Sequence, residues 1–170
     1  MLNKNEIKQL IAKEKLVEGF VHLEKQLTPN GFDITVESVS SFSAAGALDF
    51  SNKERLIPQT NQLNPQKKNK EDDYGWWTLA RGGYKIRTNE SLNLPNNIVA
   101  LAFPRTSLLR MGGFVQNGVW DAGFSGKGEF ILSVENPFGI ELKQNARIVQ
   151  LVFFRVEETE SYNGIYKNLR

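Results

Sequence analysis

The chain has 170 residues, 40% of them hydrophobic, with 21 Lys and Arg against 19 Asp and Glu. That is enough for one domain burying roughly 70% of its extended surface, and a net charge of +2 lacks the basic stripe of a duplex binder, so no nucleic-acid partner is expected. With no cysteine and only one histidine, His22, disulfides, thiolate nucleophiles, Cys-ligated zinc and His-based triads are excluded.

The opening stretch MLNKNEIKQL lacks the apolar core of a signal peptide. No run approaches the roughly 18 apolar residues of a membrane span, so a soluble cytoplasmic protein without a membrane partner is expected. Asn3 and Glu6 have capping-box spacing, and Ile7, Leu10 and Ile11 recur at helical intervals, predicting a short helix that ends near Lys15. The period then changes to two. Phe32, Ile34 and Val36 alternate with Asp33, Thr35 and Glu37, predicting a half-buried strand. Further strands are predicted at 75–80, 84–88, 97–103, 128–136, 140–143 and 147–156. They are separated by Gly82-Gly83, Asn96-Asn97, Asn117-Gly118 and Asn136-Pro137-Phe138-Gly139, all turn-forming combinations. Many short strands at this spacing predict a β-barrel or jelly roll. Residues 59–73, QTNQLNPQKKNKEDD, form one long polar insertion, expected to be a mobile loop.

After the 97–103 strand, Pro104 favours a helix start and Gly112-Gly113 ends that helix about two turns later. The backbone N–H groups of Arg105, Thr106 and Ser107 would then point outward unpaired, an arrangement that attracts anions. Thr106 and Arg110 share a face, while Leu108 and Leu109 can point into the core. Two guanidiniums and two hydroxyls suit a polyphosphate; the alternative is a helix capped by its own Thr and Ser, with solvated arginines. FVQNGVW reads as a tight hairpin whose Asn-Gly tip offers main-chain donors and acceptors to the edge of a base. Asp121 follows in a Gly-rich bend. There it is either an Asx-turn residue or, beside a bound triphosphate, the base that deprotonates water.

In their order, PRTSLLRMGG, GVWDAGFSG, NPFGIEL and NARIVQLVFF resemble the motifs of the trimeric dUTPase and dCTP deaminase superfamily, most of all its archaeal-type dUTPases. LTPNGFDITV and YKIRTNESLNLP resemble that branch's first motif and its approach to the phosphate motif. The resemblance covers residues 1–155 as a single domain, with 59–73 unmatched and 156–170 as a tail. It implies a mainly β, dUTPase-like distorted jelly roll or barrel, with a short N-terminal helix and one helix after the phosphate-motif strand. It implies hydrolysis of dUTP to dUMP and pyrophosphate by in-line water attack at the α-phosphate, with Asp121 as general base. Arg105, Thr106, Ser107, Arg110 and Gln150 match phosphate contacts. The hairpin residues Val115, Gln116, Asn117 and Gly118, with Trp120, match the nucleoside-reading element. Phe124 matches an aromatic packed under the deoxyribose, where a 2′-hydroxyl would not fit. Mg²⁺ is implied on the substrate phosphates, held mostly by water rather than by protein ligands.

The tail ends SYNGIYKNLR in place of the Gly-rich closing motif of the common dUTPases, so Tyr162, Tyr166 and Lys167 are candidate lid residues. In the deaminases a Glu lies three residues before the Asn that ends the strand following the DAGF bend. Counting back from Asn136 gives Ser133, and a gapless count from Gly126 gives Ile131; neither is a carboxylate. The rivals are therefore a dCTP deaminase, alone or bifunctional, and a non-catalytic nucleotide-binding regulatory domain, for which a base would be superfluous. The resemblance also implies a homotrimer whose sites are shared between subunits. Strand 147–156 is apolar on both faces, which calls for cover from a second layer, and Trp76, Trp77 and Trp120 are expected to add aromatic interface surface.

Overall fold

The computed structural model describes residues 1–168. In chain order the elements are α1 (Lys4–Glu14), β1 (Val17–Glu18), α2 (Leu23–Gln26), β2 (Leu27–Thr28), β3 (Gly31–Phe42), β4 (Thr60–Gln62) and β5 (Trp76–Leu79). They continue with β6 (Gly82–Asn93), β7 (Ile98–Pro104), α3 (Thr106–Arg110), β8 (Gly113–Gln116), β9 (Ser125–Val134), β10 (Ile140–Lys143) and β11 (Arg147–Arg155). The main sheet runs β7-β11-β3-β6-β9-β8, with β1, β2 and β4 attached at its margins, and β10 pairs with β5 in a second sheet. Paired main-chain bonds between Ala100 and Trp120, at 3.0 and 3.1 Å, bring the β7 end of the sheet to the chain just beyond β8. The sheet therefore nearly closes into a barrel.

The first helix forms as its sequence dictates. Asn3 Oδ1 accepts from the backbone of Asn5 and Glu6, Glu6 Oε2 accepts from the Asn3 N–H at 2.9 Å, and Lys15 takes the left-handed C-cap conformation. Ile7 is fully buried and fixes the helix against the barrel. The core behind it is built from inward residues of the long strands, including Phe32, Ile86, Leu132, Leu151 and Phe153.

Several expectations change on folding. Strand β3 is not half-buried: all six residues from Gly31 to Val36 are buried. Asp33 carries two arginines, and Thr35 binds Glu90 through its N–H at 2.9 Å and its hydroxyl at 2.6 Å. Glu90 also accepts from Gln26 Nε2 at 2.6 Å, and burial pushes its carboxyl above the usual range despite these donors. Gln26 belongs to α2, a four-residue helix with no sequence signal beyond its His22 cap. The 59–73 segment is a loop only in part. Thr60–Gln62 pairs with β3 as β4, and further along Lys68 sits 4.3 Å over the Trp76 ring and 2.6 Å from Glu141. Among the described residues no helix is long and apolar enough to cross a membrane.

Candidate active site

The residues expected on the phosphate side gather at the end of β7. Helix α3 is only five residues long, and Arg105 is its N-cap without a side-chain capping bond. The Arg105 N–H is not free, as its backbone donates to Ile148 O at 2.9 Å, so β11 takes the donor that the sequence left open to an anion. Leu108 is buried but Leu109 is 51% exposed, because one short turn presents only one leucine to the core. Thr106, Ser107 and Arg110 are exposed.

Arg105 does not hang in solvent. Its Nε lies 3.0 Å from Asp33 Oδ2 and its Nη1 donates to Arg147 O at 3.1 Å. Gln150 lies opposite Asp33 across the β11–β3 ladder and opposite Phe103 across the β11–β7 ladder. Side chains directly opposite in a ladder point to the same face, so Gln150 and the Asp33–Arg105 pair share one side of the sheet. Gln150 Nε2 donates to Thr28 Oγ1 at 2.7 Å. Asp33, Arg147 and Thr28 were not singled out in the sequence. A charged residue alternating with apolar ones looks solvent-facing, and only the cross-strand partners reveal that Asp33 is covered.

The second group lies around the Asp121 bend. FVQNGVW does not close on itself as a tight hairpin. Gly113–Gln116 pairs with β9 instead, Gln116 opposite Ile131, while Trp120 is held by Ala100. Residues 117–119 are thus an open loop, with Asn117 Nδ2 donating to Gly118 O at 2.8 Å. Beyond Trp120 the chain turns sharply, Phe124 N donating to Asp121 O at 3.1 Å and Gly123 at φ +75°. A Cβ on Gly123 would lie 2.1 Å from Ser161 Oγ and 2.7 Å from Asn96 Oδ1, so glycine is required both by conformation and by space. The bend is anchored by Gly123 N to Pro95 O and Leu94 N to Phe124 O.

The tail lies against this bend. Tyr162 N donates to Ala122 O at 2.8 Å and Asn168 N to Ser125 O at 2.6 Å, and the Tyr162 and Phe124 rings are 5.7 Å apart. Lys167 Nζ reaches Ser161 Oγ at 3.4 Å. Two cavities flank the bend. One, of about 410 Å³, has exposed Asp121 in its wall with Ala122, Ser161 and Tyr162. The other, of about 600 Å³, is lined by Gln116, Asn117, Gly118, Trp120, Phe124, Tyr162 and Tyr166. Buried Val115 supports this wall from behind rather than lining it.

Lys85, Lys127, Glu129 and Ile131 also line the larger cavity; the two lysines were missed because each reads as an ordinary outward strand residue, and Glu129 lies out of register with the deaminase carboxylate in the sequence. Lys85 and Glu129 pair at 3.3 Å. Of the two positions counted for a deaminase carboxylate, Ile131 faces the cavity, whereas the Ser133 hydroxyl donates to Glu135 Oε1 at 2.9 Å. Within one chain the structure brings Asp121 together with the residues expected to bind the nucleoside and to form a lid, and Arg105 together with Gln150. It does not bring the two groups together, since none of the phosphate-side residues lines either cavity. The expected tryptophan surface is also absent. Trp77 and Trp120 are 3% and 7% exposed, the Trp77 indole donating to Leu63 O at 2.8 Å, and Trp76 is covered by lysines.

The fold is thus a nearly closed, mainly β barrel with an aromatic-walled cavity beside an exposed carboxylate. The chain belongs to the dCTP deaminase-like family, whose model matches residues 1–156. It is 42% identical over 171 residues to a Methanosarcina mazei protein named "Probable deoxyuridine 5'-triphosphate nucleotidohydrolase", covering 99% of this chain and 96% of that protein. An Archaeoglobus fulgidus protein of the same name is 41% identical, over 98% of this chain and 95% of that one. The Methanocaldococcus jannaschii "Deoxyuridine 5'-triphosphate nucleotidohydrolase" is 33% identical, over 85% of this chain and 88% of that one. The crystal structure of 2'-deoxycytidine 5'-triphosphate deaminase from Agrobacterium tumefaciens shares the fold, with a TM-score of 0.65 at 20% identity over 92% of this chain. The chain spans about half, 48%, of that deaminase chain.

Proposed function

We propose that the chain is a dUTP diphosphatase, hydrolysing dUTP to dUMP and pyrophosphate. The observation that carries this reading is Asp121 standing exposed in one cavity wall while Phe124, three residues on, lines an adjoining aromatic-walled cavity of about 600 Å³, large enough to admit a nucleoside. The substrate follows from relatives named dUTP nucleotidohydrolases that align over nearly the whole chain.

In the proposed reaction Asp121 takes a proton from water as the water oxygen bonds to the α-phosphorus. The bond from that phosphorus to the bridging oxygen breaks on the opposite side, and pyrophosphate leaves. Arg105, Arg110, Thr106, Ser107 and Gln150 donate hydrogen bonds to the triphosphate and stabilise charge that develops on the leaving group. The nucleoside occupies the larger cavity, its base against Gln116, Asn117 and Gly118 and its sugar over Phe124, with Tyr162, Tyr166 and Lys167 closing over it. Among the described residues no group of three or more His, Cys, Asp or Glu is placed to hold a metal. Mg²⁺ would arrive on the substrate phosphates and keep most of its waters; when bound it would neutralise phosphate charge.

The separation of the two residue groups within one chain supports a homotrimer in which Arg105 of one subunit faces Asp121 of the next. The apolar Leu101, Val152 and Phe154 are only partly covered on the outer side of β7 and β11, which suits an interface there.

Deamination of dCTP requires a carboxylate over the cytosine ring; the gapless register puts Ile131 there, and the carboxylate that does line the cavity, Glu129, is out of register and paired with Lys85 at 3.3 Å. Incubation with each deoxynucleoside triphosphate and Mg²⁺, followed by chromatography, is expected to give dUMP and pyrophosphate from dUTP and no uracil nucleotide from dCTP. Uracil nucleotides from dCTP would make the enzyme bifunctional; dUTP left intact would overturn the reading.

A further inference from the structure

We propose that Asp33 is a positioning residue for the triphosphate, its buried carboxylate fixing the orientation in which Arg105 meets substrate. The inference rests on the reading of Arg105 as a phosphate contact. The Asp33 side chain is 3% exposed and that of Arg105 is 30% exposed, so the pair runs from a covered position on the outer face of the sheet to the surface. Arg105 Nε lies 3.0 Å from Asp33 Oδ2 in an ion pair, and Arg105 Nη1 donates to Arg147 O at 3.1 Å. These two contacts fix the side chain, and the Arg105 N–H bond to Ile148 O holds the backbone beneath it. Among the described residues none occupies Nη2, which remains for a ligand.

The charge balance points the same way. Arg147 Nη1 lies 3.3 Å from the same Asp33 oxygen and also donates to Lys25 O. Two guanidiniums on one carboxylate leave a net positive charge at a part-exposed edge, where an anion completes the balance. Burial raises the Asp33 carboxyl pKa, and the two arginines oppose that rise. A carboxylate needed only for packing would be costly here, whereas one that orients a guanidinium fork holds binding geometry that a flexible side chain would lose.

The test is a double-mutant cycle on dUTP hydrolysis. Asp33→Asn should lower kcat/KM for dUTP by roughly 10- to 100-fold, the scale of a charge-assisted hydrogen bond. In an Arg105→Ala background the same change should cost no more than about 3-fold, because the group it orients is gone. Inhibition by deoxyuridine, which carries no phosphate, should be unchanged. An equal loss in both backgrounds, or weakened deoxyuridine inhibition, would mean that Asp33 acts on the fold and not through Arg105. If Arg105→Ala itself left dUTP turnover unchanged, the phosphate assignment would fail first. Should Asp33→Asn not fold, Arg105→Lys decides. A lysine keeps the charge but cannot bind Asp33 and substrate as a planar fork, so it should lose about as much kcat/KM as the alanine variant. Near-normal activity of Arg105→Lys would overturn the proposal.

Discussion

Asp121→Asn is expected to lose turnover on dUTP by roughly 10²–10⁴-fold, the range for one positioned general base, with KM nearly unchanged. The amide has the shape of the carboxylate and can still hold a water molecule, but it cannot accept its proton. Asp121 is exposed and its backbone, not its side chain, closes the turn to Phe124, so the melting temperature should not move. Loss of kcat without loss of binding is the signature of an interaction made in the transition state. A variant with near-normal kcat would remove Asp121 from the mechanism.

Arg105→Ala is expected to raise KM and lower kcat together, since its charge serves both bound substrate and transition state. A charge-assisted hydrogen bond is worth roughly 1.5–3 kcal/mol, which is about one to two orders of magnitude in kcat/KM. Stability should fall as well, because Asp33 would be left buried with Arg147 alone. The pair of variants also tests whether sites are shared. Unfolding and refolding the impaired Arg105→Ala and Asp121→Asn chains in equal amounts should regenerate about a quarter of the wild-type sites if each combines two neighbours in a closed ring. A monomer in solution, or well-folded mixed oligomers with no recovered activity, would defeat the shared-site arrangement.

Local signals carried much of this molecule. The Asn3–Glu6 capping box is bonded as its spacing requires, and the 140–143 and 147–156 stretches pair as strands nearly end to end. The errors arise where distant chain decides the outcome. Asn117-Gly118 has the composition of a two-residue hairpin turn, yet β9 offers Gly113–Gln116 a better-matched ladder. Asp33 and Thr35 look solvent-facing by alternation, but Arg105, Arg147 and Glu90 arrive from strands and loops far along the chain. Thr60–Gln62 is polar and would not form a strand alone; the free edge of β3 recruits it.

The candidate site divides along the same line. Asp121, Phe124 and the 116–118 loop are close in sequence, and folding keeps them around one bend, Asp121 in the wall of the smaller cavity and the others in the wall of the larger one. Lys85 and Glu129 reach that cavity only through the β6–β9 ladder, a pairing that no local motif announces. Ile131 became informative only once the fold had separated it from Ser133, which turns away to Glu135.

Hydrolysis of dUTP in ¹⁸O-enriched water, with mass analysis of both products, tests the central claim most directly. Attack by water activated at Asp121 on the α-phosphorus predicts one heavy oxygen in dUMP and none in pyrophosphate. Label in pyrophosphate would place the attack on the β-phosphorus and contradict the proposed geometry, and a failure to release dUMP at all would contradict the activity itself.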